Sequence, residues 1–186
     1  LKSLYFMAHN AGKTPRDMRI IPSTVLATML SPTFGEMHEK KAAREKVLEG
    51  FSRLLLPSVP LLVFPVHNNF HWSLLYYRTS THQWCHLDSL SPYHEAHVSS
   101  IPSTLWKAGL MGGEMARDSV QQQGGGIRTF PGVERQRGGW ECGTFVLLYF
   151  KMLVMAKDDE TVERHVRLLG EGQRREMIEN LVREFT

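Results

Sequence analysis

Cysteine is nearly missing from this sequence: Cys85 and Cys142 are the only two among 186 residues. A small secreted domain stapled by disulfides would carry more. The pair therefore reads as free thiols in a reducing compartment, and the expected location is the cytoplasm, the nucleus or both. A long apolar run is also lacking. The most apolar stretch, Phe145 to Ala156, contains Lys151 and is too short to cross a bilayer, so it suits a buried helix and no membrane partner is expected. The first residues lack the basic-then-apolar pattern of a secretory signal. Basic runs are missing too. The formal charge is +3 and the pI about 9.0, a mild excess that does not call for a nucleic-acid partner.

Metal and phosphate signatures are equally scarce. His94-Glu95-Ala96-His97 does not place its histidines one helical turn apart, and two cysteines with scattered histidines fit no zinc pattern. Gly124-Gly125-Gly126 follows no clear strand and opens no helix, so it is not a phosphate loop. No metal or other cofactor is expected. The chain starts at Leu1 rather than Met and is expected to be a trimmed piece.

What is present is ordinary globular material, 42 % apolar and 22 % charged, enough for one domain over residues 1–186, expected to be monomeric. Leu1, Leu4, Tyr5 and Ala8 recur at helical spacing, and Asn10-Ala11-Gly12 looks like a stop. Arg19-Ile20-Ile21 is a short apolar run, after which Ser23 or Thr24 is expected to cap a helix reaching Leu30. Residues 36–55 are rich in helix formers. The period then changes. Leu61 to Phe64, His71 to Tyr77 and Trp84 to Asp88 read as strands, the last two joined as a hairpin through a polar turn. Tyr93 to Leu110 is mainly helical, with Pro102 expected to break or restart it. After a Gln/Gly loop, Ile127 to Phe130 suits a short edge strand, Cys142 to Ala156 an apolar helix, and two amphipathic helices close the chain. Helices, then a mainly antiparallel central sheet, then helices make an α+β pattern.

One segment carries chemistry. In Gln136-Arg137-Gly138-Gly139-Trp140-Glu141-Cys142-Gly143 a cysteine stands where a glycine-rich turn becomes an apolar helix. Unpaired N–H groups and the positive dipole end favour a thiolate there. Gly138, Gly139 and Gly143 would let a substrate backbone approach. Taken alone, the motif fits a buried core cysteine better than a nucleophile. A thiolate nucleophile needs a base, and the base an orienting group. His71 opens one hairpin strand and Asp88 closes the next, 88 − 71 = 17 residues on, a spacing that can bring the strand ends together. Alone, each would pass as a strand histidine and a turn former. Gln136 could aim side-chain N–H groups at a developing oxyanion, with the Cys142 N–H as second donor.

In order, His-Trp-Ser-Leu, Leu-Asp-Ser and Gln-x5-Cys-Gly resemble the ubiquitin-like-protein proteases, the Ulp/sentrin-protease family within the papain-like cysteine proteases. The likeness is specific at His71 to Ser89 and at Gln136 to Gly143, and is nearest to the small deneddylase branch. It implies His71 as base, Asp88 as orienter, Cys142 as nucleophile and Gln136 as oxyanion donor, with Trp72 roofing a narrow tunnel for a Gly-Gly tail. The implied partner is a ubiquitin-like modifier and its conjugates, Nedd-type first, SUMO or ubiquitin next. Glu141 stands where the family often has Asp, the family's Trp-Leu-Asn segment is absent, and the loop 112–135 is long and glycine-rich. Two other functions share the scaffold: an acyltransferase, as in bacterial effectors resembling this family, and a non-catalytic binder of a ubiquitin-like protein.

Overall fold

The computed structural model describes residues 2–14, 17–30, 49, 59–91, 93–107, 126–130, 135–139, 141–168, 175–177, 179–180 and 183. The helix expected over 36–55 and the Gln/Gly loop lie outside them, as does most of the last helix.

The first helix, α1 (Lys2–Asn10), ends where Gly12 takes φ 68, the left-handed conformation suited to a residue without a β-carbon. Strand β1 (Met18–Ile20) follows, then α2 (Ser23–Leu30). Neither Ser23 nor Thr24 precedes α2 as a cap. The Pro22 carbonyl accepts the Leu26 N–H, so the helix starts on the proline. Next come β2 (Leu61–Asn68), β3 (His71–Arg78) and β4 (Gln83–Leu87), then α3 (Glu95–Lys107), β5 (Arg128–Thr129), α4 (Cys142–Met155) and α5 (Asp159–Leu168).

Among the described residues the strands form one sheet in the order β1-β2-β3-β4-β5. The central pairs β2–β3 and β3–β4 are antiparallel, as the hairpin pattern implies, whereas β1 joins β2 and β5 joins β4 in parallel. Strand β2 runs past Phe64 and through Pro65, because β1 pairs with it only as far as Val63. Beyond that point β2 is an edge, and a residue without N–H costs no ladder bond there. The two residues between β2 and β3, Asn69 and Phe70, have φ 47 and 60, the twist a two-residue hairpin needs, and Phe70 is 94 % exposed.

Alternation along the strands divides the core. Leu61, Val63, Leu74, Tyr76, Cys85 and Leu87 face α1, α4 and α5. Leu62, Phe64, Leu75, Tyr77 and Trp84 face α2 and α3. Helix α4 is buried along most of its length, which explains its near-continuous apolar sequence. Helix α3 continues through Pro102 rather than breaking there. Four side-chain hydroxyls there donate to carbonyls three or four residues back, Ser99 to Ala96, Ser100 to His97, and Ser103 and Thr104 to Ser100. Such bonds satisfy carbonyls in the turns around the residue that donates none. No helix among the described residues is long and apolar enough to cross a membrane.

A buried ionic contact fastens α5 to the sheet. Asp159, in the first turn of α5, accepts from Tyr76 Oη at 3.1 Å and Arg78 Nε at 2.8 Å. Removing the carboxylate would strand a largely buried guanidinium and a buried hydroxyl. Asp159→Ala is expected to lower unfolding free energy by about 3–5 kcal/mol in urea titration. Asp159→Asn, which keeps an acceptor oxygen, should lose less.

Candidate active site

His71 and Asp88 meet as the hairpin requires. Leu74 pairs with Leu87, so Asp88 falls just beyond the β3–β4 ladder on the side of Ser73 and His71. His71 Nε2 lies 2.6 Å from Asp88 Oδ1, and the two side chains are only 4 % and 1 % exposed. A charge-assisted bond in so dry a place fixes ring and carboxylate together. With Nε2–H donated to the carboxylate, Nδ1 is the ring's remaining proton acceptor.

Asp88 also accepts the Leu90 N–H on Oδ1 at 2.8 Å and the His94 N–H on Oδ2 at 3.2 Å. Burial by itself would raise this carboxyl. The bonds from His71 and from these two backbone N–H groups outweigh it, so the net shift is downward and the group stays ionised.

Cys142 is the first residue of α4 and is buried. The Glu141 side chain makes no cap bond to this helix, and the first backbone bond runs from Phe145 N–H to the Glu141 carbonyl. The N–H groups of the opening turn thus have no acceptor within the helix, and the positive end of the dipole is left to the thiol. Trp72 and Gly143 line one cleft of about 410 Å³, with Leu4, Pro65 and Leu147. A β-carbon added to Gly139 or Gly143 would meet nothing within 4 Å, so the surface on either side of the cysteine is open.

The loop before Cys142 is tied to the Asp88 turn. Gln136 N–H donates to the Ser89 carbonyl at 3.1 Å, and Ser89 Oγ donates to Gln136 Oε1 at 2.7 Å. Gln136 Nε2 donates to the Gly138 carbonyl at 2.9 Å, which leaves its second amide proton available. Glu141 accepts the N–H groups of Arg137 at 2.9 Å and Gly138 at 3.2 Å. Glutamate in place of the family's frequent aspartate therefore holds the glycine turn closed. Both backbone groups of Gly138 are engaged inside this turn, so Gly138 shapes the loop, whereas Gly139 and Gly143 border open space. The sequence reading missed the turn-closing part of Glu141. A carboxylate three and four residues after two turn N–H groups was the available signal.

His71, Asp88 and His94 put potential ligand atoms within 4.8 Å of one another. Hydrogen bonds account for this cluster: both ring nitrogens of His94 are already paired, with Ser73 Oγ and the Asn68 carbonyl.

A buried His-Asp pair at one end of a sheet, with a cysteine opening the helix packed on that sheet, is an arrangement suited to a cysteine peptidase. The family model described as "Ulp1 protease family, C-terminal catalytic domain" matches residues 11–173, and the chain belongs to that family. A sequence comparison with curated proteins finds no match. Among solved structures the chain is similar to a de-sumoylating protease (TM-score 0.57, 15 % identity, covering 98 % of this chain and 70 % of that one). It is also similar to the SUMO protease Ulp1 with its catalytic cysteine oxidised to a sulfinic acid (TM-score 0.53, 14 % identity, 96 % and 76 % covered). A third is the C-terminal Ulp1 protease domain in complex with Smt3, the yeast ortholog of SUMO (TM-score 0.50, 16 % identity, 89 % and 71 % covered). At these identities the likeness is one of fold. The expected α+β architecture, a sheet flanked by helices, is the one observed.

Three outcomes follow. Asp88→Asn keeps the shape of the side chain but cannot stabilise an imidazolium, so kcat should fall by up to about 10⁴-fold, read with a modifier carrying a C-terminal fluorophore. Gln136→Glu keeps the acceptor for Ser89 and removes the amide donors; kcat should drop by about 10²–10³-fold, as for one lost oxyanion donor.

The third concerns pH. His86, buried beside this site, is pushed down to about 4, chiefly by burial, with Asp88 opposing and His94 and His71 adding to the effect. The unfolded chain takes up this proton near pH 6.5, so the folded state carries fewer protons between the two values. Stability is full above about pH 6.5 and falls as pH drops from there toward 4. Urea midpoints measured across that window should decline, and His86→Gln should flatten the decline.

Proposed function

We propose that this chain is a thiol peptidase that cuts after the C-terminal Gly-Gly of a ubiquitin-like modifier, releasing it from a precursor or a conjugate. The observation that carries the reading is the dry His71–Asp88 pair, combined with an uncapped helix opening on Cys142. Cys142 as thiolate attacks the carbonyl of the last glycine. The developing oxyanion is met by the Cys142 N–H and the free amide proton of Gln136. His71, charged after taking the thiol proton and held by Asp88, returns it to the leaving amine. Water then attacks the thioester, His71 removing its proton, and the modifier leaves with a free carboxylate. Trp72, on the wall of the cleft beside Gly143, fits a channel that admits backbone and rejects a β-carbon.

SUMO is the first modifier to test, because two of the proteins of similar fold are described as a SUMO protease and a de-sumoylating protease. The Nedd-type modifier is the second, favoured by the likeness of His71 to Tyr77 to the deneddylase strand.

The test compares kcat/KM for SUMO, the Nedd-type modifier and ubiquitin, each with the same C-terminal fluorophore and with Gly-Gly or Gly-Ala ends. Turnover of at least one Gly-Gly substrate is expected, with Cys142→Ala inactive yet folded. The Gly-Ala forms should be cut far more slowly, because a displaced carbonyl misses the nucleophile and the oxyanion donors together. Full turnover by Cys142→Ala would remove the mechanism, and equal cleavage of both tails would remove the channel. A modifier vinyl-sulfone labels a peptidase at Cys142; an acyltransferase or a binder would leave it unlabelled.

A further inference from the structure

Behind the His71–Asp88 pair lies a set of polar side chains that the peptidase chemistry does not use. Ser73, His86 and His94 are 0 %, 4 % and 1 % exposed. His86 Nε2 is 3.0 Å from Ser73 Oγ, and Ser73 Oγ is 2.9 Å from His94 Nδ1. His94 Nε2 is 3.0 Å from the Asn68 carbonyl.

The directions of these bonds follow from one end. A carbonyl only accepts, so His94 Nε2 carries a proton. A neutral His94 then accepts at Nδ1, and the single hydroxyl proton of Ser73 goes there. Its oxygen must take the N–H of His86 Nε2. Burial favours the neutral ring in both histidines and moves both downward from the ordinary value.

Both attachments of His94 lead to the catalytic pair. Asn68 stands opposite His71 in the β2–β3 ladder, at the base of the hairpin turn that leads into His71. Tyr93 Oη adds a bond to the Asn69 carbonyl of that turn at 3.3 Å. The backbone N–H of His94 donates to Asp88 Oδ2 at 3.2 Å, and the His94 and His71 ring centroids are 4.8 Å apart.

We propose that His94 is a positioning residue for the base, held as its neutral Nε2–H tautomer by the buried Ser73 hydroxyl and the His86 ring. In that state its ring pins the turn leading into His71, while its backbone N–H, in any tautomer, holds the carboxylate beside that ring. The proposal rests on the reading of His71 and Asp88 as base and orienter. Nothing in it requires His94 to touch substrate.

One arm of the test needs no substrate. Nitrogen-15 spectra of the full chain labelled at histidine should show, for His94 at neutral pH, a protonated Nε2 and a bare Nδ1. The other arm is kinetic, with a SUMO or Nedd-type C-terminal fluorophore. His94→Leu should lower kcat by about 10²-fold with KM little changed, as expected for a misplaced base. His94→Gln, whose amide can still donate to the Asn68 carbonyl, should recover most of that loss. Ser73→Ala, the smaller perturbation should His94→Leu fail to fold, should lower kcat with KM again little changed. A charged or Nδ1–H His94 overturns the proposal. So does a folded His94→Leu chain with wild-type kcat, or His94→Gln falling as far as His94→Leu. A wild-type chain without turnover on any modifier would sink the peptidase reading instead, and the nitrogen spectra would still decide the tautomer.

Discussion

Everything at the catalytic end of this molecule depends on keeping one carboxylate ionised where water hardly reaches. Asp88 is almost fully buried, and burial opposes its charge. Three N–H donors, from His71, Leu90 and His94, reverse that effect. Each donor belongs to a different stretch of chain, so the carboxylate acts as a knot joining the start of β3, the turn after β4 and the approach to α3. The Gln136 loop is fastened to the next residue, Ser89. The loop before the cysteine and His71 are therefore held to the same short turn, although 136 and 71 are far apart in sequence. Short donor distances at a buried anion suit a preorganised site, where geometry is set before substrate arrives.

The division of the core explains why the arrangement tolerates so polar an interior. Tyr76 and its neighbours on one sheet face belong to the packing against α4, while Ser73, His86 and Asp88 share the opposite face near the end of the sheet. Polar and apolar requirements are thereby separated by the alternation of β3 and β4. A one-residue slip of that register would send the histidines into the α4 core and the tyrosine into the polar cluster. The register is consequently specified twice, by burial and by hydrogen bonding.

Much of this was legible in the sequence, and the exceptions share a cause. The hairpin and the meeting of His71 with Asp88 follow from period-two alternation and a short polar turn, both local signals. The helix after Cys142 follows from an apolar run at a glycine turn. The parallel joins of β1 and β5 were not legible, because a parallel partner leaves no mark within a segment of two or three residues. Continuation of α3 through Pro102 was not legible either, because a proline inside a helical pattern reads as a stop unless tertiary packing carries the helix on. In the sequence Ser73 and His86 read as strand residues and His94 as the start of a helix. Each is unremarkable alone, and their sum appears only when three separate segments converge. The His94-to-His97 spacing speaks only against a helical zinc pair, and no local pattern conveys the contact of His94 with Asp88.

The two thiols stand in opposite circumstances, with a practical consequence. Cys85, in the middle of β4, is wholly buried and its thiol is pushed up to about 12, mainly by burial. Cys142 sits at the open end of a helix dipole. Both thiols are buried, but Cys142 lies at a helix end beside a cleft and keeps 4 % exposure where Cys85 has none. An alkylating reagent is therefore expected to reach Cys142 first in the native molecule and both in the denatured chain. Counting modified sulfurs by mass reports how often β4 leaves the sheet, so the silent cysteine doubles as a built-in clock for the opening of the core.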